Sequence, residues 1–284
     1  MSTAKALTKP RVLVIGGGPI GLEASALLVA KGFAVTVAES GPAVAASVRD
    51  WGHVRLFSSN ELNCSPWGLK ACATVAGAAA IDPMAWPTGA EFASTYLEPL
   101  CQHLHDSGDC DVLVNTKVIS VSKGGVLKNE AVVAVGEKQR SDAPFQVLLS
   151  HPAAADGEDE HESLLTGVSA VFDASGSYGH GNHVGRGGAP ALGERALRAR
   201  NAAAANTGAP RSAWFDSLPD VNGKDRGSFV PARQPATSTT AVALVGGGYS
   251  AATTLLSLIE LAKAEPALQL KVEWLLRRKP GAAP

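Results

Sequence analysis

The sequence predicts an α/β fold of parallel strands and crossover helices, and three observations carry that reading. Short runs of branched apolar residues close on glycine-rich turns, first at Arg11–Ile15 and again at Ala241–Val245. Each turn opens an Ala/Leu-rich stretch of helical length, and a second apolar run follows each stretch. The composition, 45% hydrophobic and 18% charged, is that of a chain with a packed core. In 284 residues there is room for one large domain or two modest ones.

The elements follow in order. Arg11–Ile15 reads as a buried strand, Gly16-Gly17-Gly18-Pro19-Ile20-Gly21 as a turn, and Leu22–Lys31 as a helix stopped by Gly32. Phe33–Ala38 is a second strand ending at Glu39, which completes a βαβ unit with parallel strands. From Ser40 to Pro87 the pattern breaks into Trp-, Pro- and Gly-containing pieces, read as ordered loop around a site. Thr88 with Glu91 three residues on forms a capping box, and Phe92, Tyr96, Leu97, Leu100 and Leu104 give the following helix one apolar face. Val112–Val114, Val118–Val121, Val132–Val135 and Phe145–Leu149 read as strands, the last two as a hairpin pair. Asp156–Glu162 is a solvated turn, and Val168–Phe172 a further buried strand leading into Asp173-Ala174-Ser175-Gly176. Asn201–Ala209 is low in complexity and expected to be a flexible surface segment. The second unit comprises strand Ala241–Val245, the turn Gly246-Gly247-Gly248-Tyr249-Ser250-Ala251, a helix to about Ala264 and strand Lys271–Leu276. The domains expected are 1–200, with a hairpin insertion around 125–165, a linker 201–240, and an incomplete second domain 241–284.

Several function classes drop out. A net charge of −1 gives no footprint for nucleic acid. No apolar run reaches the ~18 residues of a membrane span, and the polar start is not a secretion signal. Cys64, Cys72, Cys101 and Cys110 form no C-x-x-C pair, so neither a zinc site nor a disulfide scaffold is expected. The default is a soluble cytoplasmic α/β protein.

The turn at Gly16 has the two contexts that give G-x-G-x-x-G its meaning: it joins a strand to a helix, and an acid closes the next strand. Gly16 serves the tight turn, Gly18 lets a pyrophosphate approach, and Gly21 lets helix and strand pack closely, with Pro19 and Ile20 in the same turn counted among the cofactor-binding residues. The amides at the helix start hold the phosphates. Glu39, 18 residues after Gly21, is placed to accept the hydroxyls of an adenosine ribose and to repel a 2′-phosphate, which favours FAD or NAD. The second turn, with Gly246, Gly248 and Ser250, carries Ala251 in place of the third glycine. Its second strand ends in Arg277 and Arg278 with no acid. Guanidinium groups pair with phosphate oxygens, so this half reads as a site for NADPH, with Arg277 ahead of Arg278.

Two such units, one with an acid and one with arginines, resemble the two-dinucleotide-binding-domain flavoproteins, which include pyridine nucleotide–disulfide oxidoreductases and flavin-dependent monooxygenases. The resemblance implies a Rossmann-like FAD-binding domain and a second Rossmann-like NAD(P)-binding domain. Asp173-Ala174-Ser175-Gly176 is similar to the short motif by which such FAD domains return beneath the flavin, which implies roles for Asp173 and Gly176. The segments Val54–Ser58, Ser65–Gly68 and Pro87–Phe92 look like those of FAD-dependent oxidoreductases in this group. So do Gly187–Glu194 and Leu218–Asp220. Within this arrangement Arg55 is placed to steady the pyrophosphate and Trp67 to wall the flavin or substrate pocket; both residue types are also ordinary loop anchors.

The function implied is an FAD-dependent oxidoreductase taking hydride from NADPH, monooxygenase-like, with no catalytic residue named. The dithiol branch is disfavoured because Cys64 and Cys72 stand eight apart, and nothing between Ser212 and Thr240 matches the Baeyer–Villiger signature. A nucleotide-binding module without turnover and a dithiol reductase using Cys64 remain as alternatives. His180 and His183 read as a polar turn rather than metal ligands. With 44 residues from Ala241 to Pro284, about one βαβ unit, the chain reads as a fragment of a longer protein.

Overall fold

A computed structural model describes residues 9–126, 142–152, 160–207, 214–230 and 239–276. The chain divides into two compact units, Met1–Gly176 and Ser177–Pro284. The boundary follows the Asp173–Gly176 turn directly, upstream of the residue 200 expected from sequence.

The first unit opens with β1 (Arg11–Ile15), α1 (Pro19–Ala30) and β2 (Ala34–Ala38). Val12, Leu13 and Val14 are all buried, as suits a central parallel strand covered on both faces. The stretch expected to be loop contains three short helices: α2 (Ala46–Asp50), α3 (Asn60–Asn63) and α4 (Pro66–Cys72). In α4, Ser65 caps the amide of Gly68 and Pro66 occupies the first turn, a start signal that the sequence carries openly.

The next helix is interrupted. It runs as α5 (Gly89–Phe92), a π-helical segment (Ala93–Leu97) and α6 (Glu98–Asp106). Both bonds of the Thr88–Glu91 capping box are present. Pro99 explains the π segment: it has no N–H for the Thr95 carbonyl and its ring crowds that group, so the preceding turn widens. All five residues of the expected apolar face are buried.

The remaining strands of this unit are β3 (Cys110–Leu113), β4 (Lys117–Lys123), β5 (Phe145–His151) and β6 (His161–Asp173). One six-stranded sheet results, in the order β3-β2-β1-β6-β5-β4. β6 is longer than the sequence predicts because it serves two neighbours. Its first half pairs antiparallel with β5, and from Val168 on it pairs parallel with β1. Gly167, at φ +70°, takes the left-handed conformation at that handover, where the extended run breaks. One face of the sheet packs Val14, Val35 and Val37 against Leu22, Tyr96 and Leu100. The other packs Leu13 and Ala38 against Val147, Leu149 and Val168. The expected strand Val132–Val135 and most of the Asp156–Glu162 turn lie outside the described residues.

The second unit contains α7 (Glu194–Thr207), β7 (Thr240–Val245), α8 (Tyr249–Ala264) and β8 (Leu270–Leu275). Asn201–Thr207 is therefore helical rather than irregular, in keeping with the high helix propensity of its alanines. β7 and β8 pair in parallel, and Val242 and Val272 pack with Phe229, Leu258 and Leu261 of the core. Among the described residues no helix is long and apolar enough to cross a membrane.

Candidate functional site

The glycine turn after β1 opens at the carboxyl end of the sheet, where the neighbouring strands lie on opposite sides of β1: β2 on one side and β6 on the other. This is the switch point at which open α/β sheets bind ligands. Gly16 takes φ +99° and donates from its amide to Ala38 at 2.8 Å. A Cβ added to Gly16 would meet the Ala174 carbonyl oxygen at 2.6 Å, so the Asp173–Gly176 segment lies directly against the turn. Ala174 in turn donates to Ile15 at 2.9 Å. A Cβ at Gly21 would overlap the Gly16 carbonyl, while one at Gly18 would meet nothing within 4 Å. Packing thus demands glycine at positions 16 and 21, whereas Gly18 faces open space. No acidic residue stands in the first turn of α1, so its unpaired amides keep their positive field.

Glu39 is 8% exposed, and its two carboxylate oxygens accept from the amides of Gly17 at 2.8 Å and Gly41 at 2.7 Å. Those bonds fix the side chain beside the turn, and each oxygen keeps a further lone pair for another donor. Asp173, exposed, accepts from the amide and hydroxyl of Ser175 at 3.0 and 2.7 Å, which hold its carboxyl below the usual range. Gly176 follows at φ +69°.

Arg55 and Trp67 lie outside this hydrogen-bonded set. The Arg55 guanidinium donates to the Trp86 carbonyl, and its backbone bridges to Thr88. Trp67, on α4, is 52% exposed, with Lys70 Nζ 6.0 Å from its ring centre.

A half-buried polar knot escaped sequence reasoning. Glu23, two residues beyond Gly21, accepts from the Tyr96 hydroxyl, the Ser65 hydroxyl and, at 2.9 Å, the Ser65 amide. A Cβ at Gly68 would overlap the Tyr96 hydroxyl, so α4 packs tightly onto the knot. Burial and the Glu23 carboxylate push the Tyr96 phenol well up. The same two causes push the Cys64 thiol up to about 12 and that of Cys72 to about 11.

The second turn repeats the first on the same register. Ile15 pairs with Ala38 in one half, Val245 with Leu275 in the other, and the Gly246 amide donates to Leu275 at 2.9 Å. The counterpart of Glu39 is therefore Leu276. A Cβ on Gly17 would lie 3.1 Å from Glu39 Cβ, and one on Gly247 would lie 3.3 Å from Leu276 Cδ2. Where the first half presents a carboxylate, the second presents an apolar side chain that is 58% exposed. Sequence reasoning puts Arg277 at this place; the register puts Leu276 there. Arg277 and Arg278 themselves lie outside the described residues. Gly248, like Gly18, faces open space, and no acid stands in the first turn of α8, where Ser250 lies and Ala251 is buried. Trp274, also absent from the sequence reading, donates its indole N–H to the Gly246 carbonyl at 2.6 Å.

His183 belongs to a separate structural cluster within the second unit. Its Nδ1 lies 2.9 Å from Glu194, which also accepts from Ala191, Val184 and Arg198. Burial alone would push Glu194 up, but these donors together hold its carboxyl down to about 2. Among the described residues no group of three or more His, Cys, Asp or Glu is placed to hold a metal.

Fold and turns together are those of a Rossmann-like α/β fold of the FAD-binding kind. No protein-family model and no curated protein matches the chain. Among solved structures it is similar to the bacillithiol disulfide reductase of Staphylococcus aureus, with 18% identity and a TM-score of 0.52, covering 98% of this chain and 61% of that one. The corresponding protein of Bacillus cereus shows 15% identity and a TM-score of 0.48, over 95% of this chain and 70% of that one. A flavin monooxygenase from Stenotrophomonas maltophilia shows 18% identity and a TM-score of 0.47, over 96% of this chain and 59% of its own. The chain thus spans 61% of the length of the Staphylococcus protein, and at this identity the likeness is one of fold.

Proposed function

We propose that the chain is an FAD-dependent oxidoreductase that takes hydride from NADPH and acts, in the manner of a monooxygenase, on a small molecule in the cytoplasm. The observation that carries this reading is the contrast between two turns of one register: Glu39 against Gly17 in the first, Leu276 against Gly247 in the second. A carboxylate fixed by two amides suits a ribose diol and repels a 2′-phosphate. An apolar residue offers the diol no acceptor and the phosphate no repulsion.

The residues fit the groups they would hold. The amides of Gly18, Ile20 and Gly21 would bind the FAD pyrophosphate, Glu39 the adenosine ribose, and Asp173–Gly176 the flavin side. The turn Gly246–Ala251 would bind the NADPH pyrophosphate, and Arg277, with Arg278 second, its 2′-phosphate. Bound flavin supplies the redox chemistry; the protein supplies orientation and a site shielded from water. A dithiol mechanism gains no support, because Cys64 and Cys72 are buried and their raised thiols stay protonated at neutral pH.

Titration with FAD tests the reading. Wild type is expected to take up FAD and turn yellow, and Glu39→Ala to bind about tenfold or more weakly, the loss of a charge-assisted pair of hydrogen bonds. A protein that takes up no FAD would refute it; FAD uptake without NADPH turnover would reduce it to a binding module.

A further inference from the structure

The shared register of the two glycine turns lets each position of one be compared with its counterpart in the other. In the first, Gly21 packs so closely on the Gly16 carbonyl that a Cβ would overlap its oxygen. The second turn carries Ala251 at that place, a residue 7% exposed. Its methyl needs room that the first arrangement does not have. The Gly246 carbonyl, at a φ of +117° against +99° for Gly16, accepts instead from the indole of Trp274 at 2.6 Å. Trp274 is the counterpart of Val37, since Val14 pairs with Val37 and Leu244 with Trp274. Val37 is fully buried, whereas Trp274 keeps 41% of its surface exposed beside the turn. Two departures from the first half therefore occur together: an alanine where Gly21 stands, and an indole bonded to the carbonyl that is the counterpart of the one Gly21 packs on.

We propose that Trp274 is a nucleotide-binding residue of the second turn. Its indole N–H holds the Gly246 carbonyl clear of the Ala251 methyl, and its exposed ring forms the wall against which the adenosine of a dinucleotide phosphate packs. Indole faces stack well on purines and tolerate any base. Leu276, also exposed, extends the same apolar wall where Glu39 stands in the first half. The proposal rests on the reading of this turn as a nucleotide site and assigns it a ring contact and a turn-holding group.

The test uses the full 284-residue chain and NADP+ as the probe. Trp274→Phe keeps an aromatic ring and loses the N–H; Trp274→Leu loses both. NADP+ binding is read by calorimetry, and the Trp274 indole N–H by its nitrogen–proton resonance, identified by its loss in Trp274→Phe. In wild type that proton is expected to exchange slowly and to shift on adding NADP+. Trp274→Phe should weaken NADP+ binding about tenfold and Trp274→Leu about a hundredfold. Adding Ala251→Gly to Trp274→Phe should restore most of the loss, because the carbonyl no longer needs holding. Unchanged NADP+ affinity in both variants, no recovery with Ala251→Gly, or an indole proton that exchanges freely would each overturn the role of Trp274. Wild type that binds no NADP+ would overturn the nucleotide reading beneath it, and the proposal with it.

Discussion

Glycine is required for different reasons at two places in the first turn, and two alanine substitutions separate them. At Gly21 an added Cβ would overlap the Gly16 carbonyl oxygen and lie 3.0 Å from its carbon. The carbonyl has little freedom to move, since the Gly16 amide is tied to Ala38 and Ala174 presses on the turn. Overpacking of this kind costs about 1–3 kcal/mol, or roughly 3–10 °C in melting temperature for a domain of this size. It also misaligns the amides aimed at phosphate. Losing two charge-assisted bonds would weaken FAD binding about a hundredfold or more. Gly18 takes an ordinary extended conformation and a Cβ there meets open space. Gly18→Ala should therefore leave the melting temperature of the FAD-free protein within about 2 °C. Its methyl would stand where the pyrophosphate must approach, so FAD binding should fall at least tenfold. Thermal unfolding followed by FAD titration of both variants checks this. If Gly18→Ala melts early, or binds FAD as well as wild type, the space above Gly18 is not the ligand's.

Tyr96→Phe removes one of three donors to the half-buried Glu23 carboxylate and should cost about 1.5–3 kcal/mol in denaturant unfolding; a loss below about 0.5 kcal/mol would show that the knot is not closed. Glu194 has a folded-state carboxyl held near 2 against an ordinary 4.5, so its contribution to stability is complete above pH 4.5 and disappears as pH falls to about 2. The gap in melting temperature between wild type and Glu194→Gln should shrink over that window, and a gap that stays constant would contradict the assignment. With burial pushing the thiols of Cys64, Cys72 and Cys110 to about 12, 11 and 12, iodoacetamide at pH 8 should label them only after unfolding. Cys64→Ser should leave any NADPH-driven activity intact, and its loss would revive a dithiol mechanism.

The first βαβ unit was legible because its strands are covered on both faces and read as unbroken apolar runs, and because glycine punctuates the turn. The apolar face of the helix after Thr88 was legible from its spacing, but the π segment was not, since Pro99 acts by deleting a bond rather than by breaking the pattern. Helix α4 carried its own start signal in Ser65-Pro66, which the Trp- and Gly-rich composition around it obscured. β6 was underestimated because one strand pairs in both directions, and pairing depends on residues far away in sequence. The place of Glu39 beside the first turn was legible from spacing. Leu276 and Trp274 were missed because their meaning lies in register: only the pairing of Val245 with Leu275 shows which residue faces Gly247. The knot of Glu23, Ser65 and Tyr96 joins residues 42 and 73 positions apart, a distance no local pattern spans.

The proposed division of labour between the two turns is tested most directly by mixing the FAD-loaded protein, without oxygen, with NADPH and separately with NADH, and following the loss of the flavin's yellow band. A 2′-phosphate held by one paired arginine contact gains about 1.5–3 kcal/mol, roughly a tenfold to hundredfold preference at subsaturating nucleotide. NADPH is expected to bleach the band at least tenfold faster than NADH. Equal rates with the two nucleotides, or no bleaching with either, would contradict the assignment of the first turn to FAD and the second to NADPH.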